Sequence, residues 1–81
     1  MKHISITYHM ARANEVAETC ITLPMKDAIA DDILEHQGES RYIKQNSHTI
    51  TNIKIILTLL AELQGYDNAA FCCAKPSELG N

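Results

Sequence analysis

The sequence predicts a small α+β domain of order ββααβ, in which a three-stranded antiparallel sheet carries two helices packed on one face. Three observations lead there. Residues 3–10 alternate strictly between polar and apolar, and residues 17–23 do so again after a short polar gap. Between residues 50 and 63, apolar side chains recur at intervals of three and four until Gly65. The first two patterns have the period of a half-buried strand and the third that of a helix. A chain of 81 residues closes one hydrophobic core and little else, so the reading is a single domain over 1–81 with 75–81 as a loose tail.

In the first strand Ile4, Ile6, Tyr8 and Met10 share one face and His3, Ser5, Thr7 and His9 the other. In the second, Thr19, Ile21 and Leu23 oppose Glu18, Cys20 and Thr22. The polar segment Arg12-Ala13-Asn14-Glu15 between them suits a hairpin, although no Asn-Gly or Asp-Gly fixes its turn type. Pro24 stands where a strand can end and a helix begin. Beyond it Met25, Ile29, Ala30, Ile33 and Leu34 fill half of a helical wheel, opposite an arc of Asp27, Asp31, Asp32 and Glu35. Gly38 supplies a stop after His36, whose cationic form suits the negative end of the helix.

Residues 38–47 are polar and aperiodic and read as a connection, with Tyr42 and Ile43 able to tuck inward. From Thr49 the helical pattern is plain in Ile50, Ile53, Ile56, Leu57, Leu60 and Leu63. Ile55 and Leu59 widen the apolar arc until only Thr51, Lys54, Thr58 and Glu62 remain as a polar stripe. A surface helix normally buries a narrower arc. Either the C-terminal segment or a second copy of the chain should therefore cover the side bearing Ile55, Leu59 and Leu63. Ala69 to Ala74 reads as a third strand joining the hairpin. The expected core is Ile4, Ile6, Tyr8, Ile21, Leu23, Ile29, Ile33, Ile53, Ile56, Leu57, Leu60 and Phe71.

Apolar residues make up 46% of the chain and charged residues 21%, a balance that folds. The formal charge of −3 gives no general attraction to phosphate backbones or anionic lipid. Residues 1–10 lack the continuous apolar run of a signal peptide, and Ile53 to Leu63 is too short to span a bilayer. A cytoplasmic protein without a membrane partner is expected. The odd number of cysteines, Cys20, Cys72 and Cys73, argues against a secreted disulfide scaffold. On a regular strand Cys72 and Cys73 point to opposite faces, as reduced and largely core thiols.

Those thiols and the imidazoles of His3 and His9 are the natural metal candidates. Zinc sites usually contain a tight Cys-x-x-Cys or His-x-x-x-His pair, and none occurs here. His3 and His9 share a face but lie roughly 20 Å apart along a strand. No sequence feature sets a base beside Cys72 or Cys73 to make a nucleophile. The carboxylates of the first helix form a solvated face rather than a cleft. Gly38, Gly65 and Gly80 stand alone, without a phosphate loop. No catalytic, cofactor-binding or metal-binding residue is assigned, and a non-enzymatic protein without cofactor is expected.

Cys20-Ile21-Thr22-Leu23-Pro24 before a helix, then Gly38-Glu39-Ser40-Arg41 before a second helix, resembles the ribbon-helix-helix family of DNA-binding repressors. The resemblance covers about half of the chain and rests on common residue types. It implies an intertwined dimer built on the second helices and a strand ribbon entering the major groove, with Cys20 and Thr22 facing the bases beside Glu18. Those positions hold no Arg, Lys, Asn or Gln to read base edges, and Glu18 repels phosphate, so nucleic acid is not an expected partner. The function expected is a small interaction or assembly module, homo-oligomeric through helix 49–64 at Ile55, Leu59 and Leu63. It would present its polar sheet face or acidic helix to an unidentified macromolecular partner. The competing readings are a ribbon-helix-helix-like DNA binder and a thiol- or metal-dependent site using Cys20, Cys72 and Cys73.

Overall fold

A computed structural model describes residues 1–36 and 47–77. Strands β1 (Lys2–Arg12) and β2 (Glu15–Met25), helices α1 (Asp27–His36) and α2 (Ser47–Leu63), and strand β3 (Asn68–Pro76) follow one another along the chain. The strands form one open antiparallel sheet of order β2-β1-β3, so the chain has the predicted α+β order and the first strand lies at the centre. Of the expected connection over 38–47, residues 38–46, including Gly38, Tyr42 and Ile43, lie outside the described residues. So do residues 78–81.

β1 and β2 pair in unbroken register from Lys2 opposite Met25 to Arg12 opposite Glu15, which leaves Ala13 and Asn14 as the turn. Ala13 has φ +46°, a value glycine or asparagine adopts at less cost. An arginine clasp fastens this corner to the far end of α2. Arg12 Nε meets Glu15 Oε2 at 2.6 Å, its Nη1 donates to the Gly65 carbonyl at 3.3 Å, and its guanidinium lies 4.6 Å from the Tyr66 ring centroid. Asp67 N–H adds a bond to Ala11 O at 2.9 Å.

Pro24 and Met25 belong to β2 rather than to the start of α1. Pro24 fits there because β2 is an edge strand, where a missing N–H need not break a ladder. The same reason lets β3 continue through Lys75 and Pro76, which were expected to begin a loose tail. Ser77 is buried, and its N–H donates to His3 O at 2.9 Å, so the ordered chain outlasts the strand. α2 begins at Ser47, two residues ahead of its predicted start, and ends as the sequence indicates. Gly65 takes φ +88°, Tyr66 N–H reaches Ala61 O, and Gly65 N–H reaches Glu62 O. These two bonds are the Schellman pattern and satisfy carbonyls that the helix end would orphan.

The inward residues of β1, namely Ile4, Ile6, Tyr8 and Met10, form one buried cluster with Ala30 and Ile33 of α1, Ile53, Leu57 and Ala61 of α2, and Ala74 of β3. Ile21, Leu23, Leu60 and Phe71 are half-buried around it, as edge positions should be. Two expected core residues are not in it. Ile29 and Ile56 are 39% and 41% exposed, because the buried face of α1 is that of Ala30 and Ile33 and the buried face of α2 that of Ile53, Leu57 and Ala61. The helical period sets both isoleucines at the margin of those faces. These alanines, with Met10 and Ala74, supply the core positions that the large aliphatics were expected to fill.

Candidate functional site

Two surfaces carry groups that the core does not use. The first is the outer arc of α2. With Ile53, Leu57 and Ala61 facing the sheet, the helical period turns Ile55, Leu59 and Leu63 away from it. They are 53%, 54% and 83% exposed. Their spacing of four makes one ridge, and Ile56 and Ile29 continue it sideways toward α1. There Met25, Ile29, Asn52, Ile53 and Ile56 line a shallow cavity of about 190 Å³. The C-terminal strand was one of two candidates to cover this arc. β3 packs against α2 from the sheet side, and residues 68–77 leave all three aliphatics exposed.

The second surface is the sheet face turned away from the helices. Its outward rows read across the strands as Thr22-Ser5-Lys75, Cys20-Thr7-Cys73 and Glu18-His9-Ala70. Ser5 Oγ and Thr22 Oγ1 are hydrogen-bonded at 3.1 Å. Cys20, Cys72 and Cys73 are all free and all exposed, which corrects the expectation of core thiols at Cys72 and Cys73. The adjacent cysteines also fail to point to opposite faces, and a β-bulge is the reason. Thr7 faces Cys73 while Tyr8 faces Phe71, so Cys72 is the extra residue with no partner of its own. Phe71 and Ala74 can then both face inward while the two residues between them face out.

The Cys72 thiol is raised above the ordinary cysteine value. Residual desolvation against the sheet comes first, followed by the hydrogen bond and charge of Cys73 and the field of Glu18. Among the described residues no group of three or more His, Cys, Asp or Glu is placed to hold a metal ion. At the end of the sheet, Lys2, His3, Ile4, Leu34 and Pro76 line a second shallow cavity of about 320 Å³. His3 Nδ1 is buried there without a hydrogen-bond partner among the described residues.

Two carboxylates of the acidic arc of α1 meet cations at the start of the chain. Asp27 Oδ1 lies 3.2 Å from the Met1 amino group and Asp31 Oδ1 2.5 Å from Lys2 Nζ. The strand to which the ribbon-helix-helix resemblance assigns a partner chain's ribbon is paired along its length with β1 of the same chain. Among the described residues no helix is long and apolar enough to cross a membrane. Sequence reasoning singled out Ile55, Leu59 and Leu63 from the width of the apolar arc. It missed the outward turn of Cys72, for which a run of small apolar residues without glycine gives no signal. The chain matches no protein-family model, no curated protein and no solved structure.

Proposed function

We propose that the protein is a non-enzymatic assembly module that pairs with a second copy of itself through the outer arc of α2. The exposure of Ile55, Leu59 and Leu63 carries this reading, because they form one continuous aliphatic ridge on a helix whose opposite side is already buried. Monomeric domains rarely expose contiguous apolar patches larger than roughly a few hundred Å². A ridge of residues four apart also packs into the matching grooves of an identical helix, so a two-fold axis across α2 satisfies both copies with the same residues. A small body stabilised by few core residues gains most from such a partner. Three unpaired, exposed thiols suit a reducing compartment, and we place the protein in the cytoplasm on that ground.

Sedimentation velocity or light scattering tests the assembly. The protein should run as a dimer or larger at high micromolar concentration, and Leu59→Glu should reduce it to a monomer with an unchanged far-ultraviolet spectrum. A monomeric parent protein at that concentration sinks the proposal. An unchanged mass for Leu59→Glu moves the interface elsewhere.

A further inference from the structure

We propose that the β3 bulge makes Cys72 and Cys73 a two-thiol site that chelates a soft, trivalent centre of the monosubstituted arsenical class. In a regular strand neighbouring side chains leave on opposite faces of the sheet, and two consecutive thiols cannot meet one atom without breaking the ladder. Here the bulge removes that obstacle. Cys73 occupies the outward position opposite Thr7, Cys72 is the unpaired extra residue beside it, and both are exposed. Two consecutive residues of a bulge oppose a single residue of the partner strand, so their side chains emerge together.

The remaining donors on this face define the class. Cys20 lies in the same row but on the other side of Thr7, two strand spacings or about 10 Å from Cys73. It is out of reach of an ion held by the pair. The described residues bring no third His, Cys, Asp or Glu into a metal-holding group, whereas zinc in structural sites takes four ligands. A centre satisfied by two sulfurs is what the geometry fits. The reaction is balanced without an oxidant. Two S–H bonds and the As=O unit are lost, two S–As bonds form, one water leaves with both thiol protons, and arsenic remains trivalent. Desolvation and the neighbouring Cys73 and Glu18 hold the Cys72 thiol protonated to higher pH than usual, which slows single-thiol alkylation. Chelation is less affected, since the arsenoxide oxygen accepts the protons.

Once one sulfur is bound, the second attacks at an effective concentration set by the bulge, worth roughly 10²–10⁴ in overall affinity. The test is titration of the full chain with phenylarsine oxide, followed by intact mass and by the count of free thiols. One arsenical should consume two thiols, resist excess monothiol and be removed by a small dithiol. Cys72→Ser and Cys73→Ser should each weaken binding by about 10²-fold or more, while Cys20→Ser retains it. The folded chain should bind more tightly than the urea-unfolded one, so that the arsenical raises the melting temperature. The proposal is overturned if Cys20→Ser is the variant that loses binding, if either Ser variant binds like the parent, or if the unfolded chain binds as tightly as the folded one.

Discussion

Strand β1 and helix α2 both carry branched aliphatic residues in regular patterns, and the fold disposes of them differently. β1 is the central strand, flanked on both edges and roofed by two helices, so Ile4, Ile6, Tyr8 and Met10 on its inner face are all sealed. α2 has one sheet beneath it and its own small alanine at the contact. It buries Ile53, Leu57 and Ala61, while Ile55, Leu59 and Leu63 are left outside. The period of a strand sorts residues into two faces, and one face of this sheet was always going to be covered. The wider apolar arc of a helix can exceed what its own chain absorbs, and the excess is the part that bears on function.

The largest expected effect separates the two sides of α2. Leu57 is fully buried, so Leu57→Ala should cost about 2–5 kcal/mol, read from the urea midpoint at a dilution where any assembly has dissociated. Leu59→Ala, two residues on and over half exposed, should change the stability of the dissociated chain by no more than about 0.5 kcal/mol. Its effect should fall on association instead. Comparable losses at the two positions would mean that the outer arc is covered within the chain, and the contrast between the helix and β1 would disappear.

A smaller effect is expected at the hairpin. Ala13 holds a positive φ that an L-residue adopts at a cost, and the unbroken pairing of β1 with β2 imposes it. Ala13→Gly should therefore stabilise by about 0.5–1 kcal/mol, the relief of the left-handed backbone being partly offset by the freer unfolded chain. A loss of stability would show that the turn tolerates alanine without strain.

How much of this was legible depended on whether the deciding force was local. The alternation of Ile4, Ile6, Tyr8 and Met10 fixes which face of β1 is buried, whatever the neighbours are. Gly65 likewise announces the end of α2, because few other residues accept its φ. The width of the apolar arc marks Ile55 and Leu59, with Leu63 one turn further on, as more than a small chain covers, and all three are exposed. Ile29 and Ile56 were misassigned because they lie at the margins of their helices' apolar arcs, and the rotation of each helix on the sheet, a tertiary relation, decides which margin is covered. The outward turn of Cys72 follows from a register shift against Thr7 and Tyr8, a relation between strands more than sixty residues apart in sequence. No local pattern in Phe71-Cys72-Cys73-Ala74 encodes it.

The smallest expected effect lies at the beginning of β1, where packing gives way to charge. Lys2 precedes the first sealed residue and reaches across to Asp31, tying the sheet to α1, and both side chains are about half exposed. The hydrogen bond to Asp31 raises the Lys2 pKa above its ordinary value, desolvation opposes this, and the charges of Asp31 and Asp27 add to it. A group whose folded pKa is raised contributes its stability in full below the unfolded pKa and loses it as pH climbs through the folded value. The pair should therefore be intact at neutral pH and fade only in the alkaline range. Exposure and screening keep it weak, so added salt should diminish it further. Compared with the parent, Lys2→Met should show a slightly lower melting temperature at neutral pH, with the two curves converging above the lysine range. A difference that persists unchanged at high pH would assign the loss to the lysine stem packing on the sheet, extending the apolar seal of β1 one residue further than its burial implies.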